Sequence, residues 1–137
     1  MILGIGHDIC DIRRIEAILE RQDKRFKARI FTDAEILAAE ASNREAAFLA
    51  LRFAAKEAVY KAFGRYDQTG MSWQQAEIAR HSEKGAPILS LSGQCLIVLN
   101  QLIPANYQAD VHLSLSVEYP YASAYVILAA NRAADLN

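Results

Sequence analysis

Cysteine is scarce in this chain: Cys10 and Cys95 are the only two in 137 residues. They form no metal-binding spacing and no disulfide framework, and a chain of this length needs none. Both sit among apolar neighbours, which predicts two buried thiols acting as small hydrophobes. Long apolar runs are missing too. No stretch reaches the ~20 residues of a membrane span. The opening residues lack the charged-then-apolar order of a secretory signal. A cytosolic protein without a membrane partner is expected. Excess charge is also absent. The formal net charge is −1, so the global balance does not announce nucleic acid. GxSxG, Walker and GxGxxG patterns do not occur, which removes the usual serine-hydrolase, P-loop and dinucleotide signatures. There is no linker, low-complexity tract or internal repeat. Residues 1–137 read as a single domain with a modest core.

What is present reads as strand, helices, then mostly strands, an α+β order. Ile2 to Ile9 alternates apolar residues with Gly4 and Gly6, a short strand whose glycines let something approach closely. Asp11 can cap a helix carrying Ile12, Ile15, Ile18 and Leu19. Thr32 and Glu35 form a capping box for a second helix from Asp33 to about Ser42-Asn43, with Phe31 and Ile36 as its staple. A long helix runs from about Arg44 to Phe63 and stops at Gly64. Its apolar face holds Ala47, Phe48, Leu51, Ala54, Ala55, Ala58 and Ala62. Arg65 to Ser72 reads as a loop. Trp73 to Arg80 reads as a strand, Gly85-Ala86-Pro87 as a turn and Ile88 to Leu91 as a short strand. Gly93 to Leu102 is helical. Val111 to Val117 alternates, with His112, Ser114 and Ser116 on its polar face. Tyr119-Pro120 turns the chain into a last strand, Ala122 to Ala130. Asn131 to Asn137 reads as a tail.

The chemistry-bearing residues cluster on two elements. Asp8 ends the glycine-containing strand. Glu57 and Lys61, four apart, stand side by side at the margin of the apolar face of the long helix. Two carboxylates from separate elements, completed by water and substrate oxygens, are a usual way to hold Mg²⁺ on phosphates. An ammonium beside them can grip a phosphate. The plain alternative is an exposed helix pair contributing about 0.3–0.5 kcal/mol to helix stability. His7 could support Asp8, though a packed or exposed histidine fits it better; His112, on the polar strand face, could meet a phosphate and fits a structural role equally, and His81 reads as loop surface. Seven basic residues lie between Arg13 and Arg29 (Arg13, Arg14, Arg21, Lys24, Arg25, Lys27, Arg29) against Glu16, Glu20 and Asp23. That local patch fits an acidic partner and equally a solvated helix face.

The same residues resemble the small phosphopantetheinyl transferases of the holo-acyl carrier protein synthase family. The likeness begins with Gly4-Ile5-Gly6-His7-Asp8-Ile9 and takes in Arg14-Ile15, Phe26, Phe31-Thr32 and Glu35. It is densest over Arg52-Phe53-Ala54-Ala55-Lys56-Glu57-Ala58 with Lys61-Ala62 and Gly64. Trp73, Gly85 with Pro87, His112-Leu113-Ser114-Leu115-Ser116 and Tyr121-Ala122 complete it. The resemblance implies a 4′-phosphopantetheinyl transferase-like fold, a long central helix packed on an antiparallel sheet, assembled as a homotrimer. It implies transfer of 4′-phosphopantetheine from coenzyme A to a serine of apo-acyl carrier protein, releasing adenosine 3′,5′-bisphosphate. Asp8 and Glu57 would hold Mg²⁺, and Lys61 would meet the transferring phosphate. Arg52, Gly64, Pro87, His112 and Ser114 would fall near coenzyme A. Arg14, Arg21 and Lys24 would meet the carrier protein. The Val111–Val117 and Ala122–Ala130 strands would pack between subunits.

Two positions depart from the family pattern. Gly64-Arg65-Tyr66 stands where GTG is common, and Val117 stands where His or Asp follows the polar strand. Both favour a competing reading, a non-catalytic module that binds coenzyme A or a carrier protein. A hotdog-type thioesterase is a third reading, disfavoured by the early helix and the scattered strands.

Overall fold

The computed structural model describes residues 1–80 and 85–136. The chain runs β1 (Ile2–Asp11), α1 (Ile12–Ile30), α2 (Asp33–Glu40), α3 (Glu45–Ala62), a 3-10 turn (Trp73–Gln75), β2 (Ala76–Arg80), β3 (Pro87–Leu91), α4 (Gly93–Leu102), β4 (Tyr107–Glu118), β5 (Tyr121–Arg132) and a 3-10 turn (Ala133–Leu136). β1, β5 and β4 form an antiparallel sheet in that order, and β2 pairs antiparallel with β3. The expected α+β order holds, with the long helix lying on the sheet.

Glycine explains how closely they meet. A Cβ at Gly6 would lie 1.8 Å from the Ala58 carbonyl oxygen, and one at Gly4 would lie 2.0 Å from that of Ala62. What approaches the glycines is therefore the backbone of α3. Cross-strand partners share a face. The inner face, toward α3, carries Gly4, Gly6 and Cys10 of β1, their partners Leu128, Val126 and Ala122 on β5, and Leu113 of β4. Burying each Val or Leu here contributes roughly 1.5–3 kcal/mol. The outer face keeps Ile5, His7, Ile9, Tyr121, Tyr125 and His112, all exposed. The apolar strand residues assigned above to subunit packing are thus mostly this chain's own core.

The caps form as expected. The Asp11 carboxylate accepts from Arg13 N–H, and Thr32 and Glu35 make the full capping box. Other expectations need correction. α3 is buried nearly all round: Leu49, Ala50, Arg52, Lys56 and Val59 are buried as well as the alanine stripe, while Phe48 and Leu51 are half-buried. Its end is not a left-handed glycine. Gly64 N–H reaches back to the Lys61 carbonyl at 3.1 Å in a tightened last turn, and Gly64 lies outside the positive-φ residues. Trp73–Gln75 coils before β2 begins, because Ser72 and Gln75 cap each other there. β5 continues to Arg132 and a 3-10 turn follows, so the expected tail is ordered from Asn131 to Leu136. α1 breaks regular helix geometry at Gln22. His81 lies outside the described residues. Both cysteines are free and buried, as expected, and burial pushes the Cys10 thiol up to about 11.

Candidate active site

Asp8 occupies an inner-face position on β1, opposite Ala124. It is the first polar residue on the inner face after the glycines, and β1 continues past it to Asp11 instead of ending there. Lys61 reaches it from α3: Nζ donates to Asp8 Oδ1 at 2.8 Å and to the His7 carbonyl at 3.0 Å. Glu57 stands one turn earlier on the same helix face. Burial raises its carboxyl pKa above the ordinary value, and the Asp8 charge pushes the same way; Lys61 and Arg14 pull against them. Lys61 thus bonds Asp8 directly, and Glu57 lies within the electrostatic reach of both. Arg14, from the first turn of α1, also reaches it through its field.

Among the described residues no three His, Cys, Asp or Glu side chains converge as a metal centre. The site offers two carboxylates from two elements. That donor set suits a hard cation that keeps water and takes its remaining oxygens from a phosphate substrate, as Mg²⁺ does.

A second cluster lies further up α3. Arg52 is buried, with its guanidinium carbon 3.3 Å from the centre of the Phe48 ring and its Nη1 donating to the Phe48 carbonyl at 3.4 Å. Among the described residues its Nε has no partner. Burial lowers its pKa to about 10, and the nearby Arg80 charge adds to that. Arg52, Arg80, Gly85, Pro87, Leu115 and Val117 line a cavity of about 200 Å³. Arg52 and Pro87 are thus brought together, while Gly64 lies elsewhere. It is exposed at the far end of α3, about 18 Å from Arg52 at 1.5 Å per residue. A ligand touching all of these must lie along the helix.

His112 and Ser114 are not brought to this side. Their register partners Ile127 and Tyr125 put them on the outer face of the sheet. His112 Nε2 lies 2.9 Å from Asp110 Oδ2, which also accepts from Asn131 Nδ2 at 2.6 Å. One chain cannot present them together with Asp8.

The basic patch is smaller than the sequence suggests. Arg13 is held by Asp11 at 2.7 Å, and Lys27 is buried among Asp23, Glu40 and Glu45. Arg14, Arg21 and Lys24 are exposed on α1. Beside them Ile18, Gln22, Arg25, Phe26 and Arg29 line a groove of about 660 Å³ that the sequence reading did not single out. It also missed Lys56, which lies within the alanine stripe yet carries a buried charge paired with Glu35.

A long helix laid on an antiparallel sheet, with carboxylates and a lysine at its margin, defines an α+β fold with an acidic site beside a lysine. The chain belongs to the 4′-phosphopantetheinyl transferase superfamily, whose model matches residues 4–126. It is 48% identical to the holo-[acyl-carrier-protein] synthase of Paramagnetospirillum magneticum over 97% of this chain and 100% of that one. The crystal structure of the holo-[acyl-carrier-protein] synthase of Neisseria meningitidis superposes with a TM-score of 0.79 at 32% identity, covering 94% of this chain and 99% of that one. The synthase of Bacillus anthracis, solved in complex with CoA (3′,5′-ADP), gives a TM-score of 0.72 at 35% identity over 93% and 96% of the two chains. The thioesterase reading falls with this membership. Among the described residues no helix is long and apolar enough to cross a membrane.

Proposed function

We propose that this chain, as a single cytoplasmic domain, transfers 4′-phosphopantetheine from coenzyme A to a serine of apo-acyl carrier protein. The observation that carries the reading is the shared site of Asp8, Glu57 and Lys61 at the margin between β1 and α3. The serine hydroxyl attacks the phosphorus bearing the pantetheine arm, and the bond to the adenosine-side phosphate breaks, releasing adenosine 3′,5′-bisphosphate. Asp8 and Glu57 would hold Mg²⁺, which when bound offsets the charge gathering on the pyrophosphate. Lys61 donates to the phosphate oxygens, as electrostatic stabiliser or proton donor to the leaving group. A carboxylate of the pair is the acceptor this chain offers for the serine proton.

Arg52, Pro87 and Gly64 would line the coenzyme A path along α3, and the Arg52 Nε, without a partner among the described residues, favours an anionic group there. His112 and Ser114 would join it from a second copy, because they face away from Asp8 in their own chain. A homotrimer closed through the outer sheet face fits this. Ile5, Ile9, Tyr121 and Tyr125 keep 48–61% exposure on that face, an apolar patch of the kind that marks an interface. Arg14, Arg21 and Lys24, beside the α1 groove, would meet an acidic helix of the carrier protein.

The test is an incubation with coenzyme A, apo-carrier protein and Mg²⁺, with and without chelator, read by intact mass. One phosphopantetheine added per carrier only with free metal is expected. An unmodified carrier overturns the transferase reading and leaves the binding-module alternative, which Val117 and Gly64-Arg65-Tyr66 favour. Sedimentation of a monomer alone would remove the trimer.

A further inference from the structure

Lys56 is fully buried, yet its ammonium is fully used. It reaches Glu35 Oε1 at 2.8 Å, the Trp73 carbonyl at 3.0 Å and the Ala76 carbonyl at 2.6 Å. Glu35, only 2% exposed, is used as completely. Its Oε1 also accepts from Thr32 N–H at 3.0 Å, and its Oε2 accepts from Ile78 N–H at 3.1 Å. A buried pair of this kind adds little net stability, since apolar residues of similar volume often do as well or better. What a saturated polar network adds is direction, because few other arrangements satisfy all its members.

The elements it joins are the start of α2, the 3-10 turn, β2 and α3. These carry the Arg52 pocket. Arg52 precedes Lys56 by one turn of α3, Arg80 ends β2, and Pro87 begins β3. Glu35 itself lines a second cavity of about 210 Å³ with Arg52, Glu77 and Arg80. Inside it the Arg52 guanidinium keeps a buried Nε–H with no partner among the described residues; the Glu35 charge favours its charged form and the Arg80 charge opposes it. Arg52 and Arg80 both line the Pro87 cavity as well, where an anion can meet both, and the reach between them is fixed by how the β2–β3 hairpin sits on α3.

We propose that the Glu35–Lys56 pair is a positioning element for this pocket, holding the hairpin that carries Arg80 and Pro87 at a set distance from Arg52, so that affinity for coenzyme A depends on it. The proposal rests on the coenzyme A reading above. Asp8, Glu57 and Lys61 make none of the bonds of this network.

The test uses the full chain and steady-state transfer kinetics at varied coenzyme A. The paired variant Glu35→Gln/Lys56→Met removes both charges while keeping volume and one carbonyl acceptor. It should raise KM for coenzyme A about tenfold, with kcat at saturation within about threefold of the parent. Glu35→Asp keeps the charge but draws the carboxylate back from Ile78, and should raise KM by a smaller factor. It carries the test should the paired variant fail to fold. Asp11→Ala weakens the start of α1, whose cap shares no bond with the pair, and should leave KM unchanged. Unchanged KM in a folded Glu35 variant overturns the positioning role, as does an Asp11→Ala effect of equal size or a parallel loss of kcat. A parent protein that takes no coenzyme A at all overturns the transferase reading as well, so the two failures are distinct.

Discussion

Replacing Gly6 by alanine tests the placement of the whole site with one methyl group. Gly6 does not have positive φ, so alanine meets no conformational obstacle there. The obstacle is space. The new Cβ would stand 1.8 Å from the Ala58 carbonyl oxygen and 2.8 Å from the Ala62 nitrogen, and both are backbone atoms that no rotamer can move aside. The strand must lift from the helix by about 1.2 Å before the contact is tolerable, an overpacking cost at the upper end of about 1–3 kcal/mol. For a chain of this length that lowers the thermal midpoint by roughly 10 °C. Asp8 lies two residues on, about 7 Å along the strand, and its distance to Lys61 rides on the same contact. A displacement on the order of 1 Å at a catalytic constellation costs about a hundredfold in rate. Gly4→Ala meets the Ala62 carbonyl at 2.0 Å but lies twice as far from Asp8. It should destabilise to a similar extent and retain more activity. Thermal unfolding by circular dichroism and carrier modification by intact mass read both quantities. A Gly6→Ala protein that melts and turns over like the parent would show that β1 does not rest on α3 in this way.

Asp8→Ala and Glu57→Ala should each abolish carrier modification while keeping the parental circular dichroism spectrum; parental rates in either would remove that residue from the metal site. Charge reversal, Arg14→Glu with Arg21→Glu, should weaken carrier-protein binding and flatten its dependence on salt, measured by calorimetry at two ionic strengths. Unchanged binding would leave α1 as solvated surface. Cys10 should resist iodoacetamide at pH 8 in the folded protein and react once the chain unfolds, followed by mass, since its thiol is pushed up to about 11. The sign for stability follows: above the ordinary thiol pKa the unfolded chain loses this proton while the folded one keeps it, so stability falls as pH rises from about 9 toward 11. Rapid native alkylation at pH 8 would contradict the burial.

The elements were legible where local physics decides them. Asp11 and Thr32-Glu35 announce helix starts because their side chains satisfy backbone amides a few residues away. The alternation from Val111 to Val117 announces a strand because its inner face packs against α3. The carboxylate–lysine site was legible for a related reason: Glu57 and Lys61 are fixed to each other by helix geometry, and only Asp8 had to arrive from a distance. Composition misled where tertiary contacts decide. Lys27 counts toward a basic patch until three acidic groups enclose it. Lys56 looks like one more charge on a helix until α2 and β2 close over it. His112 could meet a phosphate by residue type, but strand parity puts it on the sheet face away from Asp8. That last disagreement is informative, because the side chains are not badly made. His112 is held by Asp110, and Asp110 in turn by Asn131, an arrangement that orients an imidazole on a face where its own chain leaves apolar side chains open to solvent. An exposed pair of this kind contributes only about 0–1 kcal/mol by itself. In the proposed trimer, a second copy bringing its own Asp8 margin to this face would use the oriented histidine and cover the exposed tyrosines and isoleucines together.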